Sequence, residues 1–155
     1  MPFLSDPANI VAPRYLIWGS RGWIAGHLKS LLGKDGFEFY TTDVLMEERE
    51  EARAILSEIK PSHVILAAGC TGRPNVDWCE DNKEQTIRSN VIGTINILDL
   101  CWMMKIHCTV LATGCLYQYD DEHFIGGPGF TELDQPNFQG SFYSMTKGLV
   151  EPVSS

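Results

Sequence analysis

The sequence predicts one α/β domain, a doubly wound parallel sheet with helices on both faces. Three observations point to it. Short apolar runs alternate with longer segments of helical spacing. A glycine-rich turn follows the first apolar run and opens the first helix. The length of 155 residues, 44% of them hydrophobic, suffices for one ordinary core and for no second domain of any size.

After a short Pro-rich leader, "RYLIWG" is apolar and ends in glycine, as a buried first strand should. "GWIAGHLKSLLGKDG" carries Ile24, Leu28, Leu31 and Leu32 at helical spacing and closes on glycines. "FEFYT" alternates as a second strand. "EEREEARAILSEIK" reads as a helix stopped by Pro61, with the acidic run Asp43 to Glu51 on its solvated side. "HVILAAG" is a third buried strand, followed by the polar loop "CTGRPNVDWCEDNK". A long helix then places Ile87, Val91, Ile95, Leu98 and Trp102 on one apolar stripe, which is expected to face the core. "HCTVLATG" is the fourth strand. Tyr117 to Gly140 is rich in Gly, Pro and Asp and reads as a long surface loop. "SFYSMTKGLVE" starts a last helix capped by Ser141 and broken by Pro152.

Composition excludes several classes. Twelve basic residues against twenty acidic ones leave a formal net charge of −8, which disfavours nucleic acid and anionic membrane surfaces as partners. No stretch reaches the apolar length of a membrane span. The leader lacks the basic start and apolar run of a secretory signal. Five cysteines, an odd number with no CxxC pair, argue against a zinc site or a disulfide framework and for a reducing compartment. A cytoplasmic, metal-free protein is the expectation.

Two patterns carry chemistry. In "WGSRGWIAG", Gly19, Gly22 and Gly26 lie between the first strand and the first helix, and Ala25 stands where a GxxGxxG pattern has its third glycine. Such a turn lets a phosphate approach the backbone, and the helix N-terminus offers it free N–H groups and partial positive charge. Arg21, Trp23 and Ile24 belong to this expected cofactor-binding turn. Asp43, at the end of the second strand, suits the adenine ribose of NADH, whereas Arg21 suits the 2′-phosphate of NADPH; either charge can also be plain surface. The second pattern is Tyr143 and Lys147, four apart and so on one helical face. A lysine ammonium beside a phenol is expected to lower the tyrosine pKa and make it a general acid–base. Thr113 and Cys115, two apart at the end of the fourth strand, share a side. Thr113 suits the carbonyl oxygen that Tyr143 protonates, or simply caps a turn, with Cys115 a small buried hydrophobe.

Together with "AAG" at Ala67, Ala68 and Gly69 and with Asn90 in "NVIGT", these residues resemble the extended short-chain dehydrogenase/reductases acting on nucleotide sugars, whose fold is Rossmann-type. The strings "GWIAG", "AAGCTGRPNVDWCE", "ATGCLYQYD" and "QPNFQGSFYSMTKGLVE" are similar to the UDP-4-keto-6-deoxyglucose 3,5-epimerase/4-reductases and, beside them, the dTDP-4-dehydrorhamnose reductases. The resemblance implies that Tyr143 protonates the sugar C4 oxygen, that Lys147 holds the nicotinamide ribose and tunes the tyrosine, and that Thr113 orients the carbonyl. It gives Cys115 proton exchange beside the ketone, and "AAG" room for the cofactor over the third strand. Gly114-Cys115 stands where 4,6-dehydratases carry Asp-Glu, so a dehydratase is disfavoured. Arg73, Asn75 and Asn90 are expected toward the substrate, with loop structure an equal reading for Arg73, Asn75 and Asp77.

The match runs from about Tyr15 to Glu151, so residues 1–155 are expected to be an incomplete NAD(P)-binding domain without the family's C-terminal substrate domain. The alternative is a non-catalytic dinucleotide-binding or regulatory protein, or a truncated remnant of the enzyme. The implied ligands are NADPH or NADH and a nucleotide-sugar, with a homodimer or a partner enzyme as the implied assembly. The chain alone is expected not to turn over substrate, since hydride donor, ketone and Tyr143 must be held in near-attack geometry. In a chain extended with the family's C-terminal half, Tyr143→Phe should abolish reduction, while Cys115→Ser should impair epimerisation more than reduction. Equal loss of both activities in the two folded variants would show that the roles are not divided in this way.

Overall fold

The structure, a computed structural model, describes residues 12–131 and 133–154. The expectation that the leader holds no secretory signal falls, as far as position 11, outside the described residues. Strands β1 (Arg14–Trp18), β2 (Glu38–Thr42), β3 (His63–Leu66) and β4 (His107–Val110) form one sheet in the order β2-β1-β3-β4. Every pairing is parallel, with Leu16 beside Tyr40 on one side and Val64 on the other. The chain leaves β1 toward β2 and then crosses back to β3. This makes a topological switch point at the carboxyl ends of β1 and β3, where such sheets bind ligands.

Because side chains alternate along a strand, β1 feeds both cores. Ile17 packs with Ala25 and Leu32 of α1 (Trp23–Lys34) on one face. Leu16 and Trp18 join Val64 and Leu66 on the other, under α2 (Arg49–Ile59) and α5 (Thr94–Met104), which bring Ala52, Leu56, Ile97 and Leu100. The doubly wound architecture is as expected, and β4 is an edge strand among the described residues. Lys60, left-handed at φ 50°, closes α2 just before Pro61 by donating its N–H to the Leu56 carbonyl at 2.9 Å. Two short helices follow the β3 loop, α3 (Trp78–Asp81) and α4 (Lys83–Ile87).

Three expectations are corrected. Residues 43–48 are loop, and α2 starts only at Arg49. The reason lies inside the acidic run, where Met46 turns into the core at 4% exposure. The long helix contains a π-helical stretch, Arg88–Gly93, between α4 and α5. Its wider turn shifts the helical phase, so Thr86, Asn90, Thr94, Ile97 and Leu100 face inward. The expected stripe is instead half-buried at Ile87, Val91 and Leu98 and exposed at Ile95 (43%) and Trp102 (71%). The last helix, α6 (Phe142–Ser154), runs through Pro152 rather than breaking there. Proline removes one N–H yet keeps a helical φ, and a terminal turn tolerates that.

The segment from Tyr117 to Gly140 is a loop, as expected, with no strand or regular helix among its described residues, and it is internally built. His123 stacks on Phe130 with ring centroids 4.0 Å apart, and Phe130 stacks on Tyr117 at 4.5 Å. Asp120 meets His123 Nδ1 at 2.9 Å, and Asn137 donates its side-chain amide to Asp120 at 2.9 Å and to the Gln118 carbonyl at 3.0 Å. No helix among the described residues is long and apolar enough to cross a membrane.

Candidate active site

The glycine turn sits at the carboxyl end of β1, at the switch point. Gly19 has φ +90°, and a Cβ there would lie 2.8 Å from the Ala68 main chain, so only glycine lets the two turns touch. Its N–H donates to the Thr42 carbonyl at 2.9 Å, which ties the turn to β2. α1 then begins at Trp23, and its first amides have no partner inside the helix. A cleft of about 450 Å³ opens here, lined by Gly19, Arg21, Gly22, Asp43, Ala67, Ala68 and Gly69 among others. A second lobe of about 660 Å³ shares Arg21, Gly22, Gly69 and Cys70 and adds Arg73 and Trp78.

Asp43 is bound to this turn rather than left as bare surface. Its carboxylate accepts the Ser20 N–H at 2.7 Å and the Ser20 hydroxyl at 2.6 Å, and Arg21 Nε lies 3.3 Å away. The Ser20 hydroxyl is the main reason that the Asp43 carboxyl titrates below the usual range, with Arg21 helping. An exposed pair such as Arg21–Asp43 holds weakly and opens to a competing ligand. The residues present therefore suit a dinucleotide: amides and glycines for a pyrophosphate, and a carboxylate and a guanidinium where an adenine ribose would lie.

Tyr143 and Lys147 occupy the first turns of α6, and both are buried, at 7% and 6% exposure. Ser141 caps this helix by accepting the Ser144 N–H at 3.0 Å, as expected. Thr113 ends the β4 segment. Its oxygen accepts the Cys115 N–H at 3.2 Å, so it does cap a turn, and its hydroxyl is near enough to the Tyr143 phenol to bear on its ionisation. The two bear on one point, not on opposite faces of the sheet. Burial pushes the phenol above the ordinary tyrosine value, and the Thr113 hydroxyl offsets part of that. The expected lowering by Lys147 is absent from this state. The ammonium donates to the Leu111 carbonyl at 3.1 Å, and burial lowers its own pKa. Cys115 is exposed rather than a buried hydrophobe, yet near enough to bear electrostatically on Tyr143.

Not every expected residue meets the cleft. Trp23 is 79% exposed and packs edge-on against His27, and neither it nor Ile24 lines the cleft. Asn75 accepts the Asp77 N–H at 3.0 Å and shapes the loop before α3. Asn90 is 1% exposed and turned away from any substrate, its amide being taken up by the main chain of Cys70. Tyr143, Lys147, Thr113 and Cys115 do not line the cleft, but Cys70, which lines both lobes, bears electrostatically on the Tyr143 phenol. Cys70, Gln85 and Ser89 line the cleft without having been expected there. Gln85 and Ser89 are four apart on one helical face, and that spacing was the available signal.

Lys147 makes a testable statement about stability. Since burial lowers its pKa, the folded chain holds this proton less tightly than the unfolded chain. The penalty is full at neutral pH and fades as pH rises toward about 10.4, where the unfolded lysine deprotonates as well. Lys147→Met should therefore raise the urea midpoint at pH 7, by an amount that shrinks as pH approaches that value. A lower midpoint at pH 7 would mean that the Leu111 hydrogen bond outweighs the cost of the buried charge.

Comparison with known proteins places this architecture. Residues 15–153 match the NAD dependent epimerase/dehydratase family. The chain is 47% identical over 140 residues to the bifunctional dTDP-4-dehydrorhamnose 3,5-epimerase/dTDP-4-dehydrorhamnose reductase of Arabidopsis thaliana, a match over 90% of this chain and 46% of that protein. The crystal structure of the L780 UDP-rhamnose synthase from Acanthamoeba polyphaga mimivirus superposes with a TM-score of 0.82 at 29% identity, over 92% of this chain and 52% of that one. The dTDP-4-dehydrorhamnose reductase of Bacillus anthracis in complex with NADP shares the fold, with a TM-score of 0.77 at 20% identity, over 94% of this chain and 49% of that one. The chain thus spans about half the length of each of these relatives, and it belongs to the NAD dependent epimerase/dehydratase family.

Proposed function

We propose that this chain is the dinucleotide-binding and proton-donating half of an NAD(P)H-dependent epimerase/4-reductase of a keto-6-deoxy sugar nucleotide, with a UDP- or dTDP-linked sugar as substrate. One observation carries the reading. The Thr113 hydroxyl bears on the Tyr143 phenol, as does Cys70 of the switch-point cleft, and Lys147 lies one helical turn further along α6. When bound, the cofactor supplies hydride to the sugar carbon. The chain itself manages the oxygen and the proton. Thr113 keeps its oxygen on the Cys115 N–H, so its own proton can hold the ketone oxygen in line with Tyr143. Burial keeps the phenol protonated at neutral pH, which is the form a reductase needs for donation. Cys115, exposed and next to this point, is the group proposed for proton exchange on the carbon beside the ketone. Arg73, on the outer lobe, is proposed to meet the nucleotide-sugar.

Binding of the cofactor is the direct test. NADPH and NADH should each quench the tryptophan fluorescence of the chain. Arg21→Ala should weaken NADPH by roughly tenfold, the loss of a charge-assisted hydrogen bond, and leave NADH nearly unchanged. A chain that stays folded and binds neither dinucleotide would remove the reading.

Self-association belongs to the same proposal. Ile95 and Trp102 on α5, and Leu149 and Val153 on α6, are apolar and exposed on two helices packed against each other. Exposed apolar surface of this kind marks interfaces. A homodimer through these helices should sediment as such, and Trp102→Glu with Leu149→Glu should convert it to monomer. A monomeric parent chain would exclude it.

A further inference from the structure

The first turn of α6 is held from outside its own sequence neighbourhood. The Phe142 N–H, one residue before Tyr143, donates to the Glu80 carboxylate at 2.6 Å, across 62 residues of chain. Lys83 adds a second hold, its Nζ lying 5.2 Å from the centroid of the Phe142 ring. Ser141 occupies a different orphan donor of the same helix, the Ser144 N–H. Two separate acceptors thus close the first turn of α6. Glu80 stands two residues beyond Trp78, which lines the outer lobe of the cleft, and next to Cys79, which is fully buried. Neither side of the hydrogen bond is free to drift, because α3 is anchored through Cys79 and α6 through the buried Tyr143, Thr146 and Lys147.

We propose that Glu80 is a positioning residue: from α3 it fixes the first turn of α6, and through it the angle at which the Tyr143 phenol meets Thr113. The inference rests on reading Tyr143 as the proton donor, but it concerns the geometry of that group rather than turnover. The carboxylate does not touch the reacting atoms. It acts through the Phe142 N–H alone, so an uncharged acceptor of the same shape should serve equally well. It also links the loop of the outer lobe to the proton donor, because that loop runs directly into α3.

The test reads the ionisation of Tyr143 by tyrosinate absorbance, assigned by difference from the Tyr143→Phe chain, with circular dichroism as the control for folding. In the parent chain, burial holds this titration above the ordinary tyrosine value. Glu80→Ala should loosen the first turn, admit water and move the titration down toward about 10. Glu80→Gln keeps the acceptor and should leave the titration at its parent position. Phe142→Pro removes the donor at a helix position that accepts proline, so it should shift Tyr143 as Glu80→Ala does, and combining the two should add nothing further. A folded Glu80→Ala chain with unmoved Tyr143 overturns the proposal, as does a Gln variant shifted as far as the Ala one. If Glu80→Ala does not fold, Phe142→Pro decides alone, and an unmoved Tyr143 overturns the proposal. Failure of the parent chain to bind NADH would count against the proposed function and leave this titration readable.

Discussion

The arrangement of the site depends on one buried amide. Asn90 accepts the Cys70 N–H at 2.7 Å and donates to the Cys70 carbonyl at 2.9 Å, with Thr146 of α6 a further 3.4 Å contact. A polar side chain at 1% exposure is stable only when its bonding groups are satisfied, since each unmet one costs about 1–3 kcal/mol. That requirement explains the local architecture. The turn after β3 is held by its main chain to one side chain, and the helix bearing Asn90 widens into a π stretch around it. Gly93 sits inside that stretch, where a Cβ would come within 2.8 Å of Met46. Loosening Asn90 would free three elements together: the turn lining the cleft, the π stretch, and α6 with its tyrosine and lysine.

Around this clamp the charged groups are balanced against the needs of the fold. Tyr143 is most comfortable as a neutral phenol and Lys147 as a neutral amine, because both are buried. A buried ammonium with one carbonyl partner is a cost to folding. Its natural relief is a second acceptor. Asp43 differs in that Ser20 and Arg21 already satisfy it.

Much of this could be read from the residues. The four strands were marked by apolar runs, the cleft by Gly19 and Gly22, and the shared burial of Tyr143 and Lys147 on α6 by their spacing of four. What failed had local physical causes. The stripe from Ile87 to Trp102 assumed an unbroken period of 3.6, and the π stretch at Arg88–Gly93 breaks that period. The helix is apolar on more than one side, so periodicity could not tell its buried face from its exposed one. Asn90 was expected toward the substrate through the resemblance, and only the fold shows the Cys70 main chain taking up its amide. Glu80 and Phe142 could not have been paired by any local pattern, since 62 residues separate them.

The segment joining Thr113 to Tyr143 shows why such distant ties matter. The two groups lie far apart in the chain, with most of the described residues between them outside regular structure, yet the Thr113 hydroxyl bears on the Tyr143 phenol. A loose connection of that length would leave the angle between them undefined. Here it is tied at both ends. The Leu116 carbonyl accepts the N–H groups of Asn137 and Phe138 at 3.1 and 3.0 Å, so the stretch folds back on its own start. His123, between Asp120 and Asp134 and stacked on Phe130, fills the fold-back. Ser141 and Glu80 then receive the chain as it enters α6. The described part of the loop is thus tied back on itself between Thr113 and Tyr143.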